Sequence, residues 1–135
     1  MVDLDRLLDE VLGSDVDGVS FEREGRGLLA SLPGGRRQRV RYRVRDGELL
    51  LTSVVASATV VPTTTDERAQ FIRRLWEINV HIDLVAFGID GKGRVVGTCT
   101  HPVETLDRAE LESYLLALVR ECDRLEWVMT GADRW

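Results

Sequence analysis

Six arginines crowd into ten residues: Arg36, Arg37, Arg39, Arg41, Arg43 and Arg45. Side chains alternate along an extended strand, so Arg39, Arg41, Arg43 and Arg45 share one face about 7 Å apart, with Val40, Tyr42 and Val44 on the other. A row of guanidinium groups suits carboxylates and phosphates, and therefore an acidic peptide, a phosphate group or nucleic acid. Like charges stacked on one face also cost stability unless something compensates them. The plainer reading is a solvated outer sheet face, paired with acids on neighbouring strands or helices. No aromatic side chain lies in the row's own face, where stacking of single-stranded bases would need one.

The other reactive residues form weaker patterns. Cys99, His101 and Cys122, with His81, include metal-ligating types, but zinc sites favour tight pairs such as C-x-x-C, and a C-x-H pair on a strand is a poor match. Cys122 fits an apolar helix face as a small hydrophobe. Asp90-Gly91-Lys92-Gly93 has the glycines of a phosphate loop, yet a strand follows where a P-loop needs a helix, so a tight turn is expected. Glu77, Asn79, His81 and Asp83 gather after Trp76. Glu77 falls on a polar helix face, and Asn79 sits near the helix end, where an amide can satisfy free carbonyls. No serine sits in a nucleophile elbow, and neither histidine has a nucleophile beside it in sequence. The expectation is no catalytic set, no metal and no cofactor.

The elements that carry these residues are legible from periodicity and turn chemistry. A first helix is predicted from about Leu4 to Leu12, capped by Asp3 and ended by Gly13. Ser14 to Gly18 reads as a polar loop and Val19 to Arg23 as a short extended piece. Three strands follow: Gly27 to Leu32 up to Pro33-Gly34-Gly35, Gln38 to Arg45 up to Asp46-Gly47, and Glu48 to Val61 up to Pro62. A second helix opens with Thr64 and Glu67 at capping-box spacing. Leu84 to Ile89 and Arg94 to Thr100 form a hairpin. A third helix starts at Asp107, with Glu110 in a second capping box and Leu106 stapled to Leu111. Trp127 to Trp135 reads as a terminal extension, with Gly131 breaking the helix. The order is α-β-β-β-α-β-β-α, an α+β fold with an antiparallel sheet and helices upon it.

Bulk properties narrow the function classes. At 135 residues, with 44% hydrophobic and 30% charged side chains, the chain reads as one globular domain spanning 1–135. A net charge of −5 opposes generic attraction to nucleic acid or to anionic membranes. All but one of the 18 basic residues are arginine, Lys92 being the exception, and their scatter along the chain fits coding bias. Two cysteines without framework spacing point to a reducing compartment, and no signal peptide or membrane-spanning stretch is read. A cytoplasmic protein is expected.

LWEIN inside the second helix, then LVAFGIDGKGRVVGTCTHP and a last amphipathic helix, resemble the YbjN-like family, which shares its fold with the type III secretion chaperones. The resemblance spans roughly Leu4 to Met129. It implies a small, acidic, usually dimeric protein without catalytic chemistry. In the chaperones, the middle helix dimerises and an extended partner segment wraps around apolar patches of the sheet; the YbjN-like branch is described as a regulator of sensory transduction. The arginine row departs from this pattern, since a dedicated secretion chaperone would be expected to carry an apolar groove there.

Asp66 to Val80 decides between the possibilities. Phe71, Ile72, Leu75, Trp76, Ile78 and Val80 spread over about half the helix circumference, wider than one core requires. One side is expected on the sheet and the other against a second copy, with Phe71, Ile72, Leu75, Trp76 and Ile78 as dimer-interface residues. The first expectation is therefore a non-enzymatic dimeric module, a chaperone-like or regulatory adaptor, binding a protein or peptide. The alternative is an anion- or nucleic-acid-binding regulator using Arg39, Arg41, Arg43 and Arg45.

Overall fold

Asp3 starts the first helix, α1 (Leu4–Leu12), by accepting a hydrogen bond from the Arg6 amide at 3.2 Å, and Gly13 ends it. This computed structural model describes residues 2–130. Five strands follow α1: β1 (Asp15–Val16), β2 (Val19–Glu24), β3 (Gly27–Ser31), β4 (Arg37–Arg45) and β5 (Glu48–Ala56). Then come α2 (Thr65–His81), the hairpin of β6 (Ala86–Ile89) and β7 (Val95–Pro102), and α3 (Arg108–Thr130).

The strands make one antiparallel sheet in the order β1-β2-β3-β4-β5-β7-β6. Five strands, not three, precede α2. Ser14 to Gly18, expected as a loop, contains β1 and the turn of a two-residue hairpin. Asp17 and Gly18 adopt φ of 51° and 80°, as Asp46 and Gly47 do with 52° and 78°. Such positive φ at both central positions matches the twist of flanking antiparallel strands. The predicted strand Glu48 to Val61 stops at Ala56, and a short 3-10 turn, Ala58–Val60, follows.

Helices α1 and α3 cover one face of the sheet. Leu8 and Val11 of α1 and Leu111, Leu115, Leu118, Val119 and Cys122 of α3 are buried with Val40, Leu49, Leu51, Val95 and Cys99 of the strands. Gly97 on β7 lets α3 come close: a Cβ there would lie 2.5 Å from the Cys122 Sγ. The opposite face, carrying the arginine row, is not layered by a helix.

Two of the three predicted helix starts are made by side chains. Asp107 accepts from the Glu110 amide at 2.7 Å, and Leu106 and Leu111 are both buried, as a staple requires. Thr64 differs: it makes no side-chain cap bond, and its carbonyl accepts from the Arg68 amide at 2.9 Å. The third helix runs through Trp127 to Thr130, so the expected extension begins as helix. Gly131 and Trp135 lie outside the described residues.

Candidate protein-binding surfaces

Helix α2 lies against the β6 end of the sheet and presents two apolar sides. Phe71 and Leu75, four residues apart, are 5% and 4% exposed and belong to the core. Ile72 (46%), Trp76 (65%) and Val80 (59%) follow the same four-residue spacing on the side facing solvent. The five expected interface residues thus divide. Phe71 and Leu75 are already covered within their own chain, which corrects the expectation that they lie exposed at an interface. Ile72 and Trp76 are uncovered, Ile78 packs partly against the core, and Val80 joins the exposed stripe. Leu84 extends the exposed apolar surface just beyond the helix, with φ of 68°, a conformation a bulky side chain rarely takes.

A cavity of about 720 Å³ opens between α2 and the C-terminal half of α3. Ile78, Ile82, Leu125 and Val128 give it an apolar lining, with Arg74, Glu77 and His81 beside them.

Asn79 does something its position in the helix did not reveal. Its Nδ2 donates to the Phe87 carbonyl at 2.9 Å, and its Oδ1 accepts from the Phe87 amide at 2.7 Å. The amide side chain therefore pairs with the outer edge of β6 as a neighbouring strand would, instead of capping the helix's own carbonyls. Glu77 pairs locally with Arg73 at 3.5 Å.

His101 is engaged by other partners. His101 Nδ1 lies 2.7 Å from the Tyr114 hydroxyl, and its Nε2 3.1 Å from the Thr105 hydroxyl and 3.4 Å from Glu110. Cys99 and Cys122 are buried free thiols, both pushed up to about 12 by burial. No three His, Cys, Asp or Glu side chains converge as a metal site among the described residues. Asp90 folds its carboxylate back onto its own turn, accepting from the amides of Lys92 at 3.0 Å and Arg94 at 2.9 Å. The Arg94 guanidinium, 2.9 Å away at Nε, is the first cause holding that carboxyl below its ordinary range, and the turn amides add to it. Amides that a phosphate loop would offer are thus engaged by Asp90.

The arginine row lies on the uncovered sheet face. Arg39 pairs with Glu24 of β2, Arg45 reaches Asp46 at 3.9 Å, and Arg36, just before β4, crosses to Asp123 of α3 at 2.9 Å. Arg41 and Arg43 take part in no salt bridge among the described residues. Beneath the row is a polar seam that composition gave no sign of. Buried Gln38 donates to Glu126 at 3.1 Å, and Ser53 donates to the Arg39 carbonyl at 2.8 Å. Burial, with the nearby Asp123 charge adding to it, raises the pKa of the Glu126 carboxyl.

No family model and no curated protein matches this chain. Solved structures place its architecture: it has the fold of the type III secretion chaperones and of YbjN. A chain of the ExsC–ExsE complex aligns with a TM-score of 0.61 at 20% identity, covering 96% of each chain. YbjN from E. coli aligns at 0.58 and 13% identity, over 95% of this chain and 89% of its own. The Yersinia pestis type III secretion chaperone SycH, solved in complex with a fragment of YscM2, aligns at 0.51 and 13%, over 90% and 95%. Among the described residues no helix is long and apolar enough to cross a membrane.

Proposed function

We propose that this chain is a single-domain, dimeric, non-enzymatic protein-binding module, chaperone-like or a regulatory adaptor. The observation that carries the reading is the stripe Ile72–Trp76–Val80, uncovered on a helix whose other side is core. Two copies related by a two-fold axis would bury it isologously, the commonest symmetry of soluble oligomers. Fully burying an aliphatic or aromatic side chain contributes about 1.5–3 kcal/mol, so half-exposed Ile72, Trp76 and Val80 from both copies would supply several kcal/mol. SycH was solved with a protein fragment bound, which supports a protein partner for a chain of the same fold. The two buried free thiols suit a reducing compartment, and we place the protein in the cytoplasm.

Light scattering on the purified chain tests the dimer. Wild type is expected at twice the chain mass at tens of micromolar, a range where specific interfaces hold. Trp76→Glu is expected to run at the single-chain mass with an unchanged circular dichroism spectrum. A wild-type monomer at that concentration, or a Trp76→Glu variant that stays dimeric, overturns the reading.

A further inference from the structure

We propose that the uncovered sheet face is a docking track for an extended acidic polypeptide, whose carboxylates at alternate positions meet Arg41 and Arg43. This rests on the protein-binding reading and names the chemistry of the partner.

Compensation stops in the middle of the arginine row. Arg39 is neutralised by Glu24; Arg45 has Asp46 beside it and Glu48 directly across the hairpin. Arg41 faces Gly27 on one side and Thr52 on the other, and Arg43 faces Leu50, so no acid stands opposite either. Two adjacent like charges on a strand face are destabilising by themselves. Among the described residues neither Arg41 nor Arg43 has a salt-bridge partner, in a chain whose net charge is −5.

The surroundings of Arg41 leave room for a ligand. Gly27 has no side chain to cover it, and a Cβ there would meet the Val40 carbonyl oxygen at an untenable approach, so the position stays bare. A depression of about 580 Å³ lies on that side of Arg41. On its other side the sheet splits. Arg37 to Arg41 pair only with β3 up to the point where Arg41 meets Thr52, while β5 continues along β7. A second cavity of about 320 Å³ occupies the split; Arg37, Arg39, Arg41 and Arg94 reach it, and its two acids are already engaged, Asp90 by Arg94 and Glu126 by Gln38. Arg41 thus stands between two hollows.

Spacing selects the kind of acid. Alternate residues of β4 lie about 7 Å apart, and so do alternate side chains of any extended peptide running along it. Acids at i and i+2 meet Arg41 and Arg43 together. Nucleic acid fits less well, because the row's own face offers no aromatic platform on which single-stranded bases could stack.

Fluorescence anisotropy with labelled decapeptides tests this at low salt, where charge contacts are least screened. One probe carries four glutamates at alternate positions among threonines. Its isomer carries the same four at every third position, which places neighbouring acids on opposite sides of an extended chain. The alternating probe is expected to bind several-fold tighter than its isomer. It should lose more than tenfold in affinity to Arg41→Gln/Arg43→Gln, and more to Arg41→Glu/Arg43→Glu. Equal binding of the isomers, no binding of either, or insensitivity to both double variants overturns the proposal. So does oligo-dT binding as tightly as the alternating probe. The mass of each sample is measured in parallel. A dimer that ignores the acidic probe refutes this inference alone, and a monomer that binds it refutes the dimer alone.

Discussion

Replacing Gly97 by alanine probes how closely α3 is seated on the sheet. The added Cβ would lie 2.5 Å from the Cys122 Sγ, 3.2 Å from a Phe87 ring carbon and 3.3 Å from a Leu118 methyl. Favourable heavy-atom contacts begin near 3.5 Å, so the sulfur must retreat by about 1 Å. Cys122 is fully buried on a helix whose inner face is core along most of its length, so retreat means displaced packing. Overpacking of this kind costs about 1–3 kcal/mol, partly offset by about 0.4–1 kcal/mol from the stiffer unfolded chain. Cys122→Ala alone should cost about 1 kcal/mol for the lost buried sulfur. In the double variant the new methyl occupies the space the sulfur left. Its stability should therefore exceed the sum of the single effects by about 1–2 kcal/mol. Urea unfolding followed by tryptophan fluorescence, at fixed protein concentration, gives all four corners of the cycle. Additivity within about 0.5 kcal/mol would mean that the sulfur does not set the requirement for glycine, and the reasoning fails.

Two further outcomes follow from the buried groups. Cys99 and Cys122 keep their protons up to about 12 in the fold, whereas unfolded thiols ionise near 9. The unfolded state therefore binds fewer protons above pH 9, and stability should fall as pH rises from there toward 12; a melting temperature flat over that window, or rapid alkylation of the native thiols at pH 8, would contradict it. Asn79→Ala should cost about 1–3 kcal/mol by leaving both Phe87 backbone groups without their partner, and should speed hydrogen exchange at the Phe87 amide more than at Val95. Equal acceleration at both would show that Asn79 does not act on the strand edge.

Local chemistry made much of this fold readable. Asp3 and Asp107 cap helices because a carboxylate needs only the next turn's amides, and Asp46-Gly47 turns a hairpin because both residues accept positive φ. Asp17-Gly18 does the same, yet its hairpin leaves no pattern in the sequence, since the two-residue strand before it is too short to show alternation. Thr64 had the spacing of a cap but does not use its hydroxyl. The width of the α2 arc was visible, because periodicity fixes angles around a helix. Which side met the core was not: Phe71 and Leu75 differ from Ile72 and Trp76 only in what lies across from them. The shared face of Arg39, Arg41, Arg43 and Arg45 followed from alternation alone. Their compensation depended on Glu24, brought near by strand order, and the Gln38–Glu126 bond joins residues 88 apart in sequence. Contacts at that range leave no periodic trace.

The bond between Asn79 and Phe87 has a consequence for how the molecule behaves in a crowd. A bare outer strand is a template on which another chain can add itself, and repetition of that step builds fibres. Here the β6 border is sealed at its middle by a side chain from the helix, and the opposite border is the two-residue β1. That seal closes β6 itself, whereas four residues of β2, Phe21 to Glu24, extend past β1 and keep an open edge. Growth of the sheet by edgewise stacking is thereby discouraged at the β6 border, beside the exposed stripe of the helix.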